Sequence, residues 1–356
     1  MQSEPAGPAA GVCCRSSYDC NRKARCPYPH RVSLIAAWGL TKRFGDFTAV
    51  DGIDFEVQRG EVFGFLGPNG AGKSSTMRMI GCVSDPTGGA LRILGMDPSR
   101  EGTRIRSRLG AVPQQDNLDE ELSVAENLYV YGRYFDLPRS VLRARIAELL
   151  DFVQLTERAD DQVEPLSGGM KRRLTIARAL ISDPEVLLLD EPSTGLDPQA
   201  RHVVWERLWT LKRRGVTQVL TTHYMDEAEQ LCDRLVVMDR GKIVAEGSPR
   251  QLIERYCTRE VVEVRTHGQA AAMADALRRL GESPEAPAAD TPHERGPSSD
   301  QLYERAEELP DRVLLYTDQS ERLMAQLGGV EHESVLVRRS TLEDVFLHLT
   351  GRSLVD

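Results

Sequence analysis

The feature that most constrains the fold is a glycine-rich stretch at residues 67–74, Gly-Pro-Asn-Gly-Ala-Gly-Lys-Ser, called the phosphate loop below. A largely apolar run at 61–66 precedes it, and a helical pattern at 75–80 follows it. In a strand, glycine loop and helix of this order, backbone amides converge on phosphate oxygens at the helix N-terminus. A chance glycine-rich turn would not bring the strand and the helix with it. The stretch therefore predicts a nucleotide site on an α/β core.

Two side chains of the loop carry specific chemistry. The amine of Lys73 is expected to reach the terminal phosphates, and the hydroxyl of Ser74 is expected to ligate magnesium. The residues assigned to nucleotide binding here are Gly67, Pro68, Asn69, Gly70, Ala71, Gly72, Lys73, Ser74 and Ser75.

A pair of adjacent carboxylates ends a second apolar run, Val-Leu-Leu-Leu-Asp-Glu at 186–191. Hydrolysis at a magnesium-nucleotide site needs one acid for the metal and a base beside the attacking water. Taken alone, such a run is more often a strand that leaves the core. With a phosphate loop in the same chain, we assign Asp190 to magnesium and Glu191 to water.

A second stretch, Leu-Ser-Gly-Gly-Met at 166–170, also begins like a phosphate site, and we call it the signature turn. Ser167, Gly168 and Gly169 would present a hydroxyl and unhindered amides at a helix N-terminus. An ordinary helix cap would explain the serine but not the glycines. One chain thus carries two elements suited to phosphate.

The remaining pattern predicts a mainly parallel sheet that is covered on both faces. Short apolar strands are expected at 186–189, 218–222 and 234–238, separated by helices. Alternating apolar and polar residues at 49–57 indicate a half-buried strand. Helical periodicity dominates 122–155, which predicts an inserted helical lobe.

Three segments are expected along the chain. Residues 1–31 are predicted to be a disordered, cysteine-containing extension, residues 32–250 a nucleotide-binding domain called the cassette below, and residues 251–356 an accessory α/β domain. A proline-rich stretch predicts a flexible linker near 281–310 in the last of these. The elements expected around the linker are strands at 260–265, 312–316 and 334–338, and helices at 269–280 and 319–327.

Composition narrows the class of protein. The sequence has no run of about 18 apolar residues, which a membrane helix would need. The net charge of −9 argues against generic nucleic-acid binding. Three of the seven cysteines lie beyond residue 31, which suggests a reducing compartment without a disulfide framework. The other four, with His30, leave zinc as an alternative to a disordered tail, although their spacing matches no pair of zinc knuckles.

Together, the phosphate loop, the signature turn, the Asp190–Glu191 pair and His223 resemble the ATP-binding-cassette family over about residues 34–247. The resemblance implies a P-loop NTPase fold with a mainly parallel core, an antiparallel β part and a helical lobe. It also implies ATP and Mg²⁺ as cofactors, and a homodimer. In that family the signature turn of one subunit faces the phosphate loop of the other, which explains why one chain has both.

Further site residues follow from the same resemblance. Phe44 matches the aromatic ring that stacks on adenine, and Gln114 matches the glutamine that senses magnesium and the γ-phosphate, although Gln115 beside it leaves the register open. Asp197 matches the loop that contacts the other subunit across the ATP, and His223 matches the histidine on the γ-phosphate. Glu191, His223 and Gln114 are thus the expected catalytic residues, and Ser74, Gln114 and Asp190 the expected metal ligands.

The stretches 112–119, 125–135 and 342–351 resemble the drug-resistance and nodulation-factor export branch of the family. This implies an ATPase peripheral to the cytoplasmic face of a bacterial inner membrane. Its partner would be a separate polytopic permease, with no specific nucleic acid, and its cargo lipo-chitooligosaccharides or related amphiphiles. One alternative is a soluble cassette ATPase on ribosomes or DNA, but such relatives have two cassettes or long coiled coils. An ATP-dependent regulatory module is another, based on the accessory domain alone.

Overall fold

The computed structural model describes residues 33–265, 302–309, 311–327 and 332–351. The cysteine-rich segment and the helix expected at 269–280 lie outside these residues. The strands are β1 (Ser33–Phe44), β2 (Phe47–Gln58), β3 (Val62–Leu66), β4 (Gly88–Ile93), β5 (Leu109–Val112), β6 (Val186–Asp190), β7 (Thr217–Thr222), β8 (Arg234–Asp239), β9 (Lys242–Gly247), β10 (Glu260–Arg265), β11 (Arg305–Leu309), β12 (Arg312–Thr317) and β13 (Ser334–Arg339). The helices are α1 (Lys73–Ile80), α2 (Pro98–Arg106), α3 (Val124–Arg133), α4 (Arg139–Phe152), α5 (Gly168–Leu180), α6 (Pro198–Arg213), α7 (Met225–Leu231), α8 (Pro249–Tyr256), α9 (Ser320–Leu327) and α10 (Leu342–Thr350).

A six-stranded sheet forms the centre of the cassette, in the order β5-β6-β7-β3-β8-β9. Its first five strands run parallel, and β9 pairs antiparallel with β8. Every residue of β3 and β7 is buried, as expected of strands that are covered on both faces. The expected mainly parallel core is confirmed, with the carboxyl ends of β3, β6 and β7 at one edge.

A three-stranded antiparallel sheet, in the order β2-β1-β4, provides the antiparallel β part. It shares a buried apolar cluster with α1 and with one face of the central sheet. The aromatic rings of Phe55, Phe63 and Phe65 pack against one another in this cluster. This cluster fixes α1, and with it the phosphate loop, against the sheet.

The helical lobe consists of α3 and α4, packed against α5. The side chain of Ser123 accepts a hydrogen bond from the backbone of Glu126, whose carboxylate bonds back to Ser123, so a capping box starts α3. Helix α5 begins within the signature turn, at Gly168, where the Ser167 hydroxyl caps it by accepting a hydrogen bond from the amide of Met170.

The C-terminal part is a four-stranded antiparallel sheet in the order β11-β12-β10-β13. Apolar side chains on one face, such as Val262 and Leu315, pack against Leu323 and Leu327 of α9. A linker is expected near 281–310, but residues 305–309 at the end of that range form β11. Its sequence, Arg-Ala-Glu-Glu-Leu, has no strand-like alternation, and its pairing with β12 makes it a strand.

The last described helix, α10, contacts the C-terminal sheet through Leu347 and also contributes to the buried cluster of the cassette. Leu342, Val345 and Phe346 are buried in it beside Leu252 of α8. In addition, Oε1 of Glu229 on α7 accepts a hydrogen bond of 2.6 Å from the backbone amide of Leu342. Among the described residues, no helix has the length and apolarity that crossing a bilayer requires.

Candidate active site

The phosphate loop joins β3 to α1 at the carboxyl edge of the central sheet. Gly72 precedes α1 with φ of 101°, and a Cβ atom there would lie 2.4 Å from the carbonyl oxygen of Ala49. Neither the backbone conformation nor the space allows a side chain. The ammonium of Lys73 is nearly buried and donates hydrogen bonds to the carbonyl oxygens of Gly67 (2.6 Å) and Pro68 (3.0 Å). These two hydrogen bonds hold the ammonium against the phosphate loop.

Asp190 lies beside the loop at the end of β6. Its Oδ1 accepts a hydrogen bond of 2.5 Å from Thr221 and lies 3.4 Å from the hydroxyl of Ser74. Two hard oxygen donors from separate elements thus face each other, and Mg²⁺ prefers one or two such protein ligands completed by water and phosphate. No group of three or more His, Cys, Asp or Glu side chains in the described part of the chain is arranged to hold a metal. The oxygen pair therefore fits Mg²⁺ held together with a nucleotide.

Three polar side chains converge on the carboxylate of Glu191. Gln114 donates to Oε2 from Nε2 at 3.1 Å, and the hydroxyl of Thr194 donates to the same oxygen at 3.2 Å. Nδ1 of His223 lies 3.2 Å from Oε1, without the alignment of a full hydrogen bond. The expected catalytic residues Glu191, Gln114 and His223 are therefore brought together.

The backbone of Glu191 is in the left-handed region, with φ of 48°, which is rare for a residue with a side chain and is often seen at functional sites. Its amide donates to both the carbonyl and the hydroxyl oxygen of Thr221, each at 3.1 Å. The strained conformation is thus held in place by the neighbouring strand.

Electrostatics favours an ionised Glu191. The contact with His223 is the largest influence that holds the pKa of this carboxyl below its usual range, and the charge of Lys73 adds to it, whereas burial opposes the shift. For Lys73, burial is the largest influence and lowers its pKa, while the charges of Glu191 and Asp190 oppose that change. A carboxylate that stays charged beside a buried ammonium is suited to accept a proton from water.

His223→Gln is expected to move the acidic limb of ATP hydrolysis to higher pH. The histidine depresses the Glu191 pKa, so its removal raises that pKa, and the carboxylate then becomes protonated at a higher pH during acidification. The maximum rate should also fall, by about tenfold or more, because a polar contact at the reaction centre is lost. Initial rates of phosphate release across pH would show the shift. An acidic limb at the wild-type position would contradict this coupling.

The signature turn forms a different surface together with the start of α6. Asp197 caps α6 by accepting a hydrogen bond of 2.9 Å from the amide of Ala200, and a Cβ on Gly169 would lie 2.7 Å from the Cβ of Ala200. Ser167, Gly168 and Asp197 are exposed. Within the described residues, no hydrogen bond or ion pair joins this surface to the phosphate loop. The two phosphate-type elements are therefore not assembled by contacts within one chain.

Phe44 is half exposed at the end of β1, with Nζ of Lys42 5.0 Å from the centre of its ring. The ring is therefore open to solvent and is not part of a buried core. Its role in stacking on adenine stays a prediction.

Two supporting residues are missing from the sequence-based assignment. Thr221 binds both Asp190 and Glu191. It could have been identified from the parallel register of β6 and β7, which places Thr221 opposite Asp190. Glu227 is fully buried, where burial raises its pKa and the indole of Trp205 donates to it at 3.1 Å. Its carboxylate also contacts Thr222, the residue before His223, and only tertiary packing reveals it.

Comparison with known proteins gives matches to two family models. The ABC transporter family matches residues 50–194, and the C-terminal domain of nodulation factor export protein NodI matches residues 290–351. The first range includes the phosphate loop and the site carboxylates, and the second includes α10.

Curated relatives extend over nearly the whole chain. The Nod factor export ATP-binding protein I of Cupriavidus pinatubonensis is 44% identical over 95% of this chain and 97% of its own. Its namesake from Rhizobium meliloti strain 1021 is 46% identical over 94% of this chain and 93% of its own.

Solved structures match the cassette. CbiO1 from Clostridium perfringens, part of an ABC transporter complex, has a TM-score of 0.59 at 29% identity and covers 63% of this chain and 91% of its own. A dimeric, post-hydrolysis structure of the ATP-binding cassette MJ0796 with ADP and Pi has a TM-score of 0.55 at 28% identity and covers 60% of this chain and 98% of its own.

Proposed function

Because the chain belongs to the ATP-binding-cassette transporter family, as an ATP-hydrolysing exporter subunit, we propose that two copies close on two Mg-ATP molecules and drive a separate permease. The observation that carries this proposal is the separation of the two phosphate-type elements. A complete ATP site would therefore need the phosphate loop of one copy and the signature turn of a second copy. The dimeric cassette with ADP and Pi, at 28% identity, supports this arrangement.

The site geometry suggests how the residues share the reaction. Lys73 and the loop amides would hold the β- and γ-phosphates. Ser74, Asp190 and the amide oxygen of Gln114 would be the protein ligands of Mg²⁺. When bound, Mg²⁺ would neutralise charge on the phosphate oxygens. Glu191 would accept a proton from the attacking water, while Gln114 and His223 orient its carboxylate towards that water.

A groove of about 960 Å³ supports a permease contact. Ser74, Gln114 and Asp190 line one part of it, and aromatic side chains of the helical lobe, including Tyr134, line another. Tyr134 is 78% exposed. A segment of the permease seated here would touch the lobe and lie near the magnesium ligands, so nucleotide-dependent movement of the lobe would reach the membrane subunit. A ligand shifts such an equilibrium only by its preference for one state.

The protein is therefore expected to co-purify with a polytopic inner-membrane protein, a NodJ-like permease, when tagged and extracted from native membranes in mild detergent. Tyr134→Ala should lower the recovered permease by about tenfold, since exposed aromatic residues often dominate interfaces. Trp209→Ala is the matched control, because Trp209 is half exposed on α6, outside the groove. Basal ATP hydrolysis of the isolated protein should not change. Ribosomal or DNA-bound partners in place of a membrane protein would refute the exporter proposal.

The cargo is proposed to be a nodulation factor-type lipo-chitooligosaccharide or a related amphiphile, on the basis of relatives that are named Nod factor exporters. The co-purified complex in detergent allows a test. Its ATP turnover should rise with an acylated chitooligosaccharide and not with the same oligosaccharide without its acyl chain. An equal response to both would reject an amphiphilic cargo.

A further inference from the structure

Arg172 lies on α5, five residues after the signature serine, and is only 4% exposed. A guanidinium buried this deeply is costly unless its charge and its N–H groups find partners. The charge is matched by Asp116, whose Oδ1 lies 3.2 Å from Nη1. The proposed reaction assigns no task to either residue.

One side of the guanidinium holds the end of β6. Nε donates to the carbonyl oxygen of Pro192 at 2.7 Å, and Nη2 donates to those of Glu191 at 2.9 Å and Asp190 at 3.0 Å. Three successive carbonyls thus converge on one side chain. This convergence occurs where the backbone of Glu191 is left-handed, so the arginine fixes the strained residue from behind.

The other side holds residues 113–117, called the glutamine segment here. Nη1 donates to the carbonyl oxygen of Pro113 at 2.5 Å and to Oδ1 of Asp116. With these two acceptors, all five N–H groups of Arg172 have partners. Arginine alone among side chains offers five donors in a fixed planar fork.

The two sides meet at the catalytic carboxylate. Gln114 follows Pro113 directly, and its amide reaches Oε2 of Glu191 at 3.1 Å. This contact needs the glutamine segment and the end of β6 to keep their relative position. Arg172 binds the backbone of both.

We propose that Arg172 is a positioning residue for ATP hydrolysis, which holds the glutamine segment and the end of β6 in register so that Gln114 orients the Glu191 carboxylate. Because Arg172 lies on the helix of the signature turn, a movement of that helix would reach the carboxylate through this side chain. The inference rests on the proposed roles of Glu191 and Gln114 in ATP hydrolysis, and it does not depend on the proposed permease or cargo.

Arg172→Lys tests the proposal, because lysine keeps the charge but has only three donors at one point. We expect kcat to fall by about 10²-fold, as for a small misplacement of catalytic groups, while the Kd for ATP changes by less than about threefold. Arg173→Lys is the matched control. Arg173 is the next residue on α5 and donates to the carbonyl of Val153 in the helical lobe, away from the site. Its kcat should stay within about twofold of wild type.

Two further measurements distinguish a positioning role of Arg172 from an effect of the substitution on folding. The Tm of both lysine variants shows whether the loss of kcat follows a loss of stability. In a Gln114→Ala background, Arg172→Lys should cost far less in kcat than in the wild type, since residues that act as a unit are not additive. A purely structural role would give equal losses in both backgrounds and would overturn the proposal.

Asp116→Asn tests the same positioning role if the Arg172→Lys protein does not fold. The side chain of Asp116 is partly exposed, and the change removes its charge while leaving an amide oxygen that can still accept from Arg172 and from Thr175. We expect kcat to fall by about threefold to tenfold with little change in the Kd for ATP. A kcat within about twofold of wild type, in either Arg172→Lys or Asp116→Asn, would overturn the assignment.

Discussion

Replacing Glu191 with Gln is expected to lower ATP turnover by about 10²- to 10³-fold while leaving ATP binding intact. Glutamine keeps the shape of the side chain but cannot accept a proton from water. The loss of a negative charge also removes repulsion towards the γ-phosphate, so the closed dimer should accumulate with ATP. Steady-state phosphate release, ATP binding and light scattering with and without ATP measure these three effects.

Glu185→Gln is the control for this change. Glu185 directly precedes β6, at the opposite end of the strand from Glu191, and pairs with Arg59 and Arg108 at the surface. Its removal should leave turnover nearly unchanged. Hydrolysis at the wild-type rate in Glu191→Gln would show that another group activates water. A loss of ATP binding as well would show that the substitution distorts the phosphate loop.

Replacing Lys73 with Ala is expected to weaken ATP binding by about 10²-fold and to abolish measurable turnover. The ammonium is nearly buried, and its two carbonyl contacts hold it against the phosphate loop. Titration with a fluorescent ATP analogue gives the affinity. Lys212→Ala is the control, because this partly buried lysine bonds to the carbonyl of Leu231 and pairs with Asp233, away from the loop. An unchanged affinity in Lys73→Ala would contradict the phosphate-loop assignment.

The same variant can reveal the arrangement of the dimer. Ser167→Arg should also be inactive, because a bulky side chain would block the signature turn. Mixing the two inactive variants in equal amounts should restore about a quarter of wild-type turnover, since half of the dimers are then mixed and each has one complete site. No recovery in a mixture that forms mixed dimers would argue against sites built from two chains.

Much of the site could be predicted because its chemistry depends on short local motifs. The phosphate loop and Glu191 follow buried strands, and Asp190 is the last residue of one. Because the carboxyl ends of parallel strands share one edge, their proximity follows from the fold class. The contact of Glu191 with Gln114 is harder to predict from the sequence. Two adjacent glutamines left the register open, and only the position of the glutamine segment against α5 decides it.

Arg172 shows why the rest could not be predicted. Lys171, Arg172 and Arg173 look equivalent in sequence, yet the orientation of α5 about its axis buries only Arg172. Lys171 instead pairs with Glu120, and Arg173 contacts the helical lobe. The strand β11 likewise depends on pairing with a partner, and its own sequence does not indicate it. Both features follow from contacts between distant parts of the chain rather than from local patterns.

The position of α10 has a consequence for synthesis on the ribosome. Leu342, Val345 and Phe346 fill the buried cluster of the cassette, although β9, the last strand of the central sheet, ends at Gly247. The nascent cassette therefore exposes an apolar face beside α7 and α8 until almost the whole accessory segment has been translated. Exposed apolar surface of this kind favours chaperone binding and aggregation. The time needed to translate residues 248–350 therefore sets how long the incomplete cassette needs protection from aggregation.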